Sequence, residues 1–376
     1  MDLSPTLRAQ AADPKVRAVG INPNHWYAVG WAQDWQPGQV KPIQIWKQAI
    51  AVYRATNGTF YALADACPHR GVALHLGQVE GDRLICQYHG WAFAPTGSCV
   101  HIPYFPPDQT LPPVCARAYP VQERYGLVWL FPGTATLAPA TPLIDIPEYA
   151  SSHWLKVPIS VQFQAHFSIC NENAMDVFHG YLHQNLQGWF DPVLEQLEAD
   201  GSLVRARYRV SYRGQLARWL GLAPRANTTT TQTITLEYRY PHFQTVMPNL
   251  SALYLMRLPI APTVSRSFAL FFFKLPFAQY WPPGLKVALG WLIQRFILQR
   301  FIAQDRVMVE SEQQTYLAHP DQTWTEVNPA IIALQRLTRR QYVEYQQNTR
   351  DRQPRPTSGH KAPQSSVSRS RFNQSD

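Results

Sequence analysis

Short runs of apolar residues, interrupted by polar ones at every second or third position, dominate the chain from His25 to Phe131. Ile43-Gln44-Ile45-Trp46, Ala51-Val52-Tyr53-Arg54 and Phe60-Tyr61-Ala62-Leu63 have the length and β-branched or aromatic content of strands. Asn57-Gly58 separates the last two and predicts a hairpin, since its tight turn needs residues that tolerate positive φ. Gly126 to Phe131 predicts a closing strand. Pro132 to Pro147, rich in Pro, Ala and Thr, then predicts a linker. A second region starts near Trp154. It opens with a predicted helix containing Asn171 to Gln187, followed by strands over Thr228–Tyr240, Leu253–Ile260 and Arg266–Leu275. Helices are predicted over Gly284–Ala318 and Pro329–Gln347. The residues after Arg350 are polar and rich in Ser, Pro, Gln and Arg, which predicts disorder. The division expected is therefore an extension (1–24), a β domain (25–131), a linker (132–150), an α+β domain (151–349) and a tail (350–376).

Two loops in the β region carry chemistry. Cys67-Pro68-His69-Arg70-Gly71 and Cys86-Gln87-Tyr88-His89-Gly90-Trp91 each supply one Cys and one His. Two thiolates and two neutral imidazoles can hold a [2Fe–2S] cluster with Cys on one iron and His on the other, which is Rieske ligation. A Cys2His2 zinc site is the rival, but zinc sites usually pair Cys with Cys and His with His along the chain. The glycines suit tight loops whose N–H groups face cluster sulfurs.

A one-electron centre implies a second site that uses the electrons. Asp176-Val177-Phe178-His179-Gly180-Tyr181-Leu182-His183 places two imidazoles four residues apart, on one face if the segment is helical. Two His with a carboxylate form the facial triad of non-haem Fe(II). Taken alone, the same pair fits a zinc site or plain surface histidines; the upstream cluster favours iron. Candidate pocket walls are Tyr254, Phe268 and Phe271 to Phe273, for which plain core packing is the ordinary alternative.

Composition adds three constraints. The length of 376 residues accommodates two domains. Cys99, Cys115 and Cys170 remain beyond the cluster, an odd number without paired spacing, which fits a reducing, cytoplasmic compartment. No basic-then-apolar leader is evident at Met1-Asp2-Leu3-Ser4-Pro5. The net charge of +9 is concentrated at the end, where Arg339 to Asp376 holds eight Lys/Arg against three Asp/Glu. It does not point to nucleic acid. Gly284 to Ile302 is strongly apolar but carries Lys286, Arg295 and Arg300. A helix packed inside the protein is the first expectation there; peripheral membrane contact or a wall for a lipophilic substrate is the second.

These motifs resemble the Rieske non-haem iron oxygenases from about His25 to Gln347. The likeness is greatest to the pheophorbide a oxygenase, chlorophyllide a oxygenase and lethal-leaf-spot subgroup, through His25-Trp26-Tyr27 and Gly97-Ser98-Cys99-Val100-His101-Ile102-Pro103. It is looser to demethylating monooxygenases of vanillate or dicamba type. The resemblance implies an α+β fold: an all-β Rieske domain, then a helix-grip-like antiparallel sheet with helices. It implies a cluster on Cys67, His69, Cys86 and His89. It also implies iron on His179, His183 and Asp305, the last from Gln304-Asp305-Arg306, with Glu310 and Glu312 as fallbacks. Asp176 matches the family's carboxylate between the two metal sites, and a homotrimer is implied. The implied reaction uses O2 and electrons from NAD(P)H, through a separate reductase or ferredoxin, to hydroxylate or oxidatively demethylate an apolar, aromatic or pigment-like substrate. The alternative is an electron-transfer or binding protein without oxygenase activity. Two departures stand out. The family more often has four residues between its two His, whereas three separate His179 and His183, and no Cys follows Cys170, so the Cys-x-x-Cys of the plant pigment oxygenases is missing.

Overall fold

Gly58 sits at φ +90° in the predicted turn, between antiparallel strands Gln48–Arg54 and Phe60–Ala64. These strands and Val40–Ile45 form the first of three small sheets in the N-terminal body. The second joins Gln78–Glu80, Arg83–Ile85, Ala92–Phe93 and Cys99–His101. The third joins Val121–Arg124, Leu127–Leu130 and Tyr27–Trp31. The computed structural model describes residues 7–183, 189–212 and 230–352.

The C-terminal body is built on seven antiparallel strands: β1 (Trp154–Phe163), β2 (Trp189–Ala199), β3 (Leu203–Tyr212), β4 (Thr230–Arg239), β5 (His242–Met247), β6 (Ser251–Ala261) and β7 (Val264–Lys274). Their order across the sheet is β1-β7-β6-β5-β4-β3-β2. Four of them, β1, β2, β3 and β5, go beyond the strands expected from the sequence. For β3 the signal was present. Val204, Ala206, Tyr208 and Val210 are buried while Arg205, Arg207 and Arg209 alternate with them, which is the period of a strand with one polar face.

Four helices accompany the sheet: α1 (Phe167–Met175), α2 (Pro283–Ile293), α3 (Gln299–Ala318) and α4 (Pro329–Arg352). Three differ from expectation. The segment beginning at Asn171 does not continue as one helix: α1 ends at Met175, and Phe178–Tyr181 forms a separate tight turn. Residues 184–187 of that expectation lie outside the described residues. The run from Gly284 is helical but is broken by a wide π turn, Gln294–Leu298. It is not packed inside the protein: Gly290, Ile293 and Leu298 are buried, whereas Val287, Trp291 and Phe296 are exposed. The extra residue of a π turn rotates all that follows, so no single 100° projection describes both halves. Finally, α4 runs to Arg352, three residues into the 350–376 stretch expected to be disordered; residues 353–376 lie outside the described residues.

Strands β6 and β7 are buried on both faces. Tyr254, Met256 and Leu258 of β6, with Phe268, Leu270 and Phe272 of β7, join Tyr27, Val29, Leu127 and Trp129 of the N-terminal body in one core. That core fuses the two bodies. The intervening residues of both strands face the other way, into a cavity. The N-terminal extension also packs on the second body. Gln10–Ala11 pairs with Thr325–Glu326. Arg17, in a short helical turn, reaches Glu172 of α1 and Glu312 of α3.

Three histidines line the seam between the two bodies. His166 Nε2 lies 3.0 Å from the Val19 carbonyl, His25 meets Tyr240 edge-on, and His242 meets Trp129 edge-on. Burial lowers His25 and His166 to about 4 and His242 to about 3. In the unfolded chain they titrate near 6.5. The unfolded state therefore binds more protons between those values, so their stabilising contribution is complete above pH 6.5 and is lost as pH falls toward 4. Each group is worth up to about 3 kcal/mol at that limit. Urea midpoints measured across this window should fall steadily with acidification; a flat profile would contradict the assignment.

Candidate metal centres and cavity

The two Cys/His loops share one backbone design. Cys67 N–H donates to Val72 O at 2.7 Å, and Gly71 N–H donates to Cys67 O at 2.8 Å. Cys86 N–H donates to Trp91 O at 2.9 Å, and Gly90 N–H donates to Cys86 O at 3.0 Å, at the same offsets. Gly71 and Gly90 both take positive φ, +74° and +69°. The loops thereby bring like to like. The Cys67 and Cys86 thiols lie within hydrogen-bonding reach, and the His69 and His89 rings are 4.5 Å apart. Burial pushes the Cys67 thiol up to about 11, with the neighbouring Cys86 adding to the rise. Desolvation, then His89 and Arg70, lowers His69. Metal binding would thus displace the Cys67 thiol proton and meet a His69 imidazole whose neutral form is favoured. The cysteines are buried and His89 is exposed, so this arrangement would hold a two-iron cluster with its histidine edge outward. The ring of Trp91 stacks on His69 at 4.6 Å.

The second centre is assembled from distant segments. Among the described residues, His179, His183 and Asp305 are the three whose donor atoms gather within 4.8 Å of one another. His183 Nε2 is 3.0 Å from Asp305 Oδ1, and His179 Nε2 is 3.9 Å from the same atom. Each imidazole is set by its other nitrogen. His183 Nδ1 meets Gln304 Oε1 at 2.9 Å, and His179 Nδ1 meets the backbone carbonyl of Asp176. A carbonyl oxygen only accepts, so each ring carries a proton on Nδ1, and the two Nε2 atoms are the ones that would ligate a metal beside Asp305. Phe301 stacks on His183 at 3.6 Å. Two such nitrogens and one carboxylate suit a divalent iron.

Asp176 ends α1. Its Oδ1 accepts from Phe178 N–H at 3.0 Å and from Asn328 Nδ2 at 3.1 Å, an Asx turn that competes with helix continuation. That turn is why His179 and His183 do not share a regular helical face. Both contacts fall on Oδ1, leaving Oδ2 free of a partner among the described residues. The fallback ligands are engaged elsewhere: Glu310 accepts from Gln164 N–H, and Glu312 pairs with Arg17.

Beside this centre lies a cavity of about 300 Å3, lined by Asp176, His179 and Asp305. Phe271 and Phe273 line it as expected. Tyr254, Phe268 and Phe272 do not; they sit in the opposite core because side chains alternate along β6 and β7. Other walls come from Leu253, Leu255, Ala269 and, across the gap, Leu298 and Phe301. The expectation missed Arg257 and Ser267, the polar residues of the same strands, although the strand period places both on the Phe271 side.

The sequence model of the Rieske [2Fe-2S] domain matches residues 25–120. The 4beta-methylsterol monooxygenase of Methylococcus capsulatus is 34% identical over 349 residues, covering 91% of this chain and 94% of that protein. Chlorophyllide a oxygenase of Arabidopsis thaliana is 27% identical over 174 residues, 46% of this chain and 31% of that one. Among solved structures, dicamba monooxygenase bound to 3,6-dichlorosalicylic acid shares the fold, with a TM-score of 0.71 and 20% identity over 88% of this chain and 99% of that one.

The two loop glycines differ in what a side chain would meet. At Gly71 a Cβ finds open space, whereas at Gly90 it would lie 2.6 Å from Pro103 Cγ. Gly71→Ala should therefore cost only the left-handed backbone penalty, about 1–2 kcal/mol. Gly90→Ala should cost more and lower cluster content per chain, read from visible absorption against protein concentration. Equal behaviour of the two variants would contradict this account.

Proposed function

The chain belongs to the Rieske oxygenases, and from that premise we propose that it hydroxylates or oxidatively demethylates an apolar, ring-bearing substrate seated beside His179 and Asp305, with electrons from a separate reductase or ferredoxin. It is an oxygenase rather than an electron-transfer protein alone. The gathering of His179, His183 and Asp305 beside a cavity that His179 and Asp305 line carries the reading, since electron transfer alone needs no such pocket. An iron held by these residues would supply reductive O2 activation, and a cluster held by Cys67, His69, Cys86 and His89 would supply the single electrons. The chain's own part is to hold both imidazoles as Nδ1–H tautomers, to leave Nε2 free, and to exclude water with Phe271, Leu298 and Phe301. The sterol, chlorophyllide and dicamba oxygenases among its likenesses act on ring systems, which supports that substrate class.

A homotrimer accounts for the placement of the two centres. The fused core and the large sheet stand between the cluster body and the cavity, so a neighbouring chain is the better electron source. Asp176 Oδ2 is the acceptor for a donor from outside the chain, which supports Asp176 as the carboxylate between the two sites. Five free cysteines support a reducing, cytoplasmic setting. Two experiments test the scheme together. Wild-type protein should hold three irons per chain, two from the cluster and one more; His179→Ala should lose one while keeping its Rieske EPR signal. Mixed assemblies of Cys86→Ser and His179→Ala chains, each inactive, should recover O2-dependent turnover. Three irons retained in His179→Ala would refute the metal assignment, and no recovery would refute transfer between chains.

A peripheral membrane contact is supported by α2. Among the described residues no helix is long and apolar enough to cross a membrane. Val287, Trp291 and Phe296 are nevertheless exposed, beside Phe277 and Tyr280. Lys286, Arg295 and Arg300 are nearby, and no Asp or Glu occurs from Pro276 to Gln304. That combination suits an anionic bilayer surface. The protein should float with phosphatidylglycerol-containing vesicles at low salt, and Trp291→Ser with Phe296→Ser should reduce flotation at least about tenfold, in line with the buried apolar area removed. Unchanged flotation of the double variant would exclude this face.

A further inference from the structure

The cavity wall carries one buried cation. Arg257, on β6, is 5% exposed. Its Nε–H donates to Asn171 Oδ1 at 3.1 Å, its Nη2 to the Cys170 carbonyl at 2.8 Å, and its Nη1 to Ser267 Oγ, the residue directly opposite on β7. All three acceptors are neutral. No carboxylate among the described residues pairs with it. Asp305 lines the same cavity, but its Oδ1 is turned to His183 and His179.

Arg17 provides the contrast. It too is buried, and it pairs with both Glu172 and Glu312. Arg257 has no such partner. Of the acids that act on Arg257, the Cys170 thiol is pushed up to about 11 by burial and stays protonated near neutral pH, and the Asp305 carboxylate acts only through the field, with no ion pair to the guanidinium and Oδ1 facing the two histidines. Burial also lowers Arg257 from its ordinary value, yet a guanidinium remains charged. A purely structural tie between α1 and the sheet would need only the three donors already used, and a neutral amide could supply donors without an isolated buried charge. A guanidinium has five N–H groups, so two remain. They belong to a fork suited to a two-oxygen anion.

We propose that Arg257 anchors the substrate of the oxygenase through an oxyanion, a carboxylate or sulfonate on an otherwise apolar body lying against Leu253, Leu255 and Phe271. The anchor is built into the active-site wall. Asn171 and Cys170 belong to α1, whose end leads directly to His179, so the anion and the metal ligands are positioned from one helix. The substrate supplies the missing countercharge, and a neutral analogue leaves the guanidinium unpaired. This rests on the oxygenase reading for what is bound there, but the charge argument holds for any ligand of the cavity.

The test uses the iron-loaded protein without reductant, so that binding is measured without turnover. The probes are 2-naphthoate, 2-naphthalenesulfonate and neutral 2-naphthamide, titrated by calorimetry. At least one anion should bind about tenfold or more tightly than the amide, the size of one charge-assisted contact. In Arg257→Gln that ratio should fall to about one, with amide affinity held within about threefold. Arg257→Lys, which keeps the charge and loses the fork, should give an intermediate ratio. Wild-type protein without a preference for either anion would overturn the proposal outright, whether or not Arg257→Gln folds. So would a preference that survives in Arg257→Gln or is unaltered in Arg257→Lys. Three irons and O2 uptake without anion preference would sink the anchor alone. Anion preference without a third iron would sink the oxygenase reading and leave the anchor standing.

Discussion

Strands β6 and β7 are buried on both faces, and the rest of the molecule follows from that. A strand presents alternate side chains to opposite sides. Here one set, Tyr254, Met256, Leu258, Phe268, Leu270 and Phe272, seals the N-terminal body to the sheet. The other set, Leu253, Leu255, Arg257, Ser267, Ala269 and Phe271, forms a wall of the cavity. A one-residue slip would exchange the two sets, burying Arg257 in the domain core and opening aromatic side chains into the cavity. Ten paired positions between β1 and β7 and the long ladder between β6 and β7 hold that register.

The gathering of the three candidate iron ligands depends on two interruptions of regular structure. At Asp176 the side chain takes the backbone N–H of Phe178 and breaks the helix, and the carbonyl of the same residue then fixes His179. At Gln294–Leu298 the π turn reorients the following helix, so that Phe301 and Asp305 face the cavity while Trp291 and Phe296 face outward. A regular helix at either point would separate the ligands. Local irregularity here is what lets a sheet and two helices place three donor atoms together.

Charge is managed unevenly. Arg17, Glu172 and Glu312 form a compensated group that ties the N-terminal extension to α1 and α3. Arg257 forms no ion pair with a carboxylate among the described residues and lies in the wall of a largely apolar cavity. Desolvating an unpaired charge is among the larger local costs a fold can carry. Its position on the cavity wall, rather than in the structural core a few residues away, is what supports the proposed role in recognition.

The sequence by itself determined the cluster loops, because every requirement there is local. Cys67, His69, Cys86 and His89 lie in two short segments, each closed by hydrogen bonds four and five residues apart and by a glycine with positive φ. The Asn57-Gly58 hairpin was legible for the same reason. Resemblance to known oxygenases was needed to pick out Asp305, and only tertiary structure decided how it meets the two histidines from more than a hundred residues away. The break at Asp176 likewise depends on Asn328, 152 residues distant. The two faces of β6 and β7 are both largely apolar, with only Arg257 and Ser267 marking the cavity side, and Tyr254 and Phe268 were assigned to the wrong one. Local backbone preferences and short loops leave their mark in the order of residues. Which of two apolar faces meets a partner, and whether a buried charge is paired, are set by groups that only the folded chain brings together.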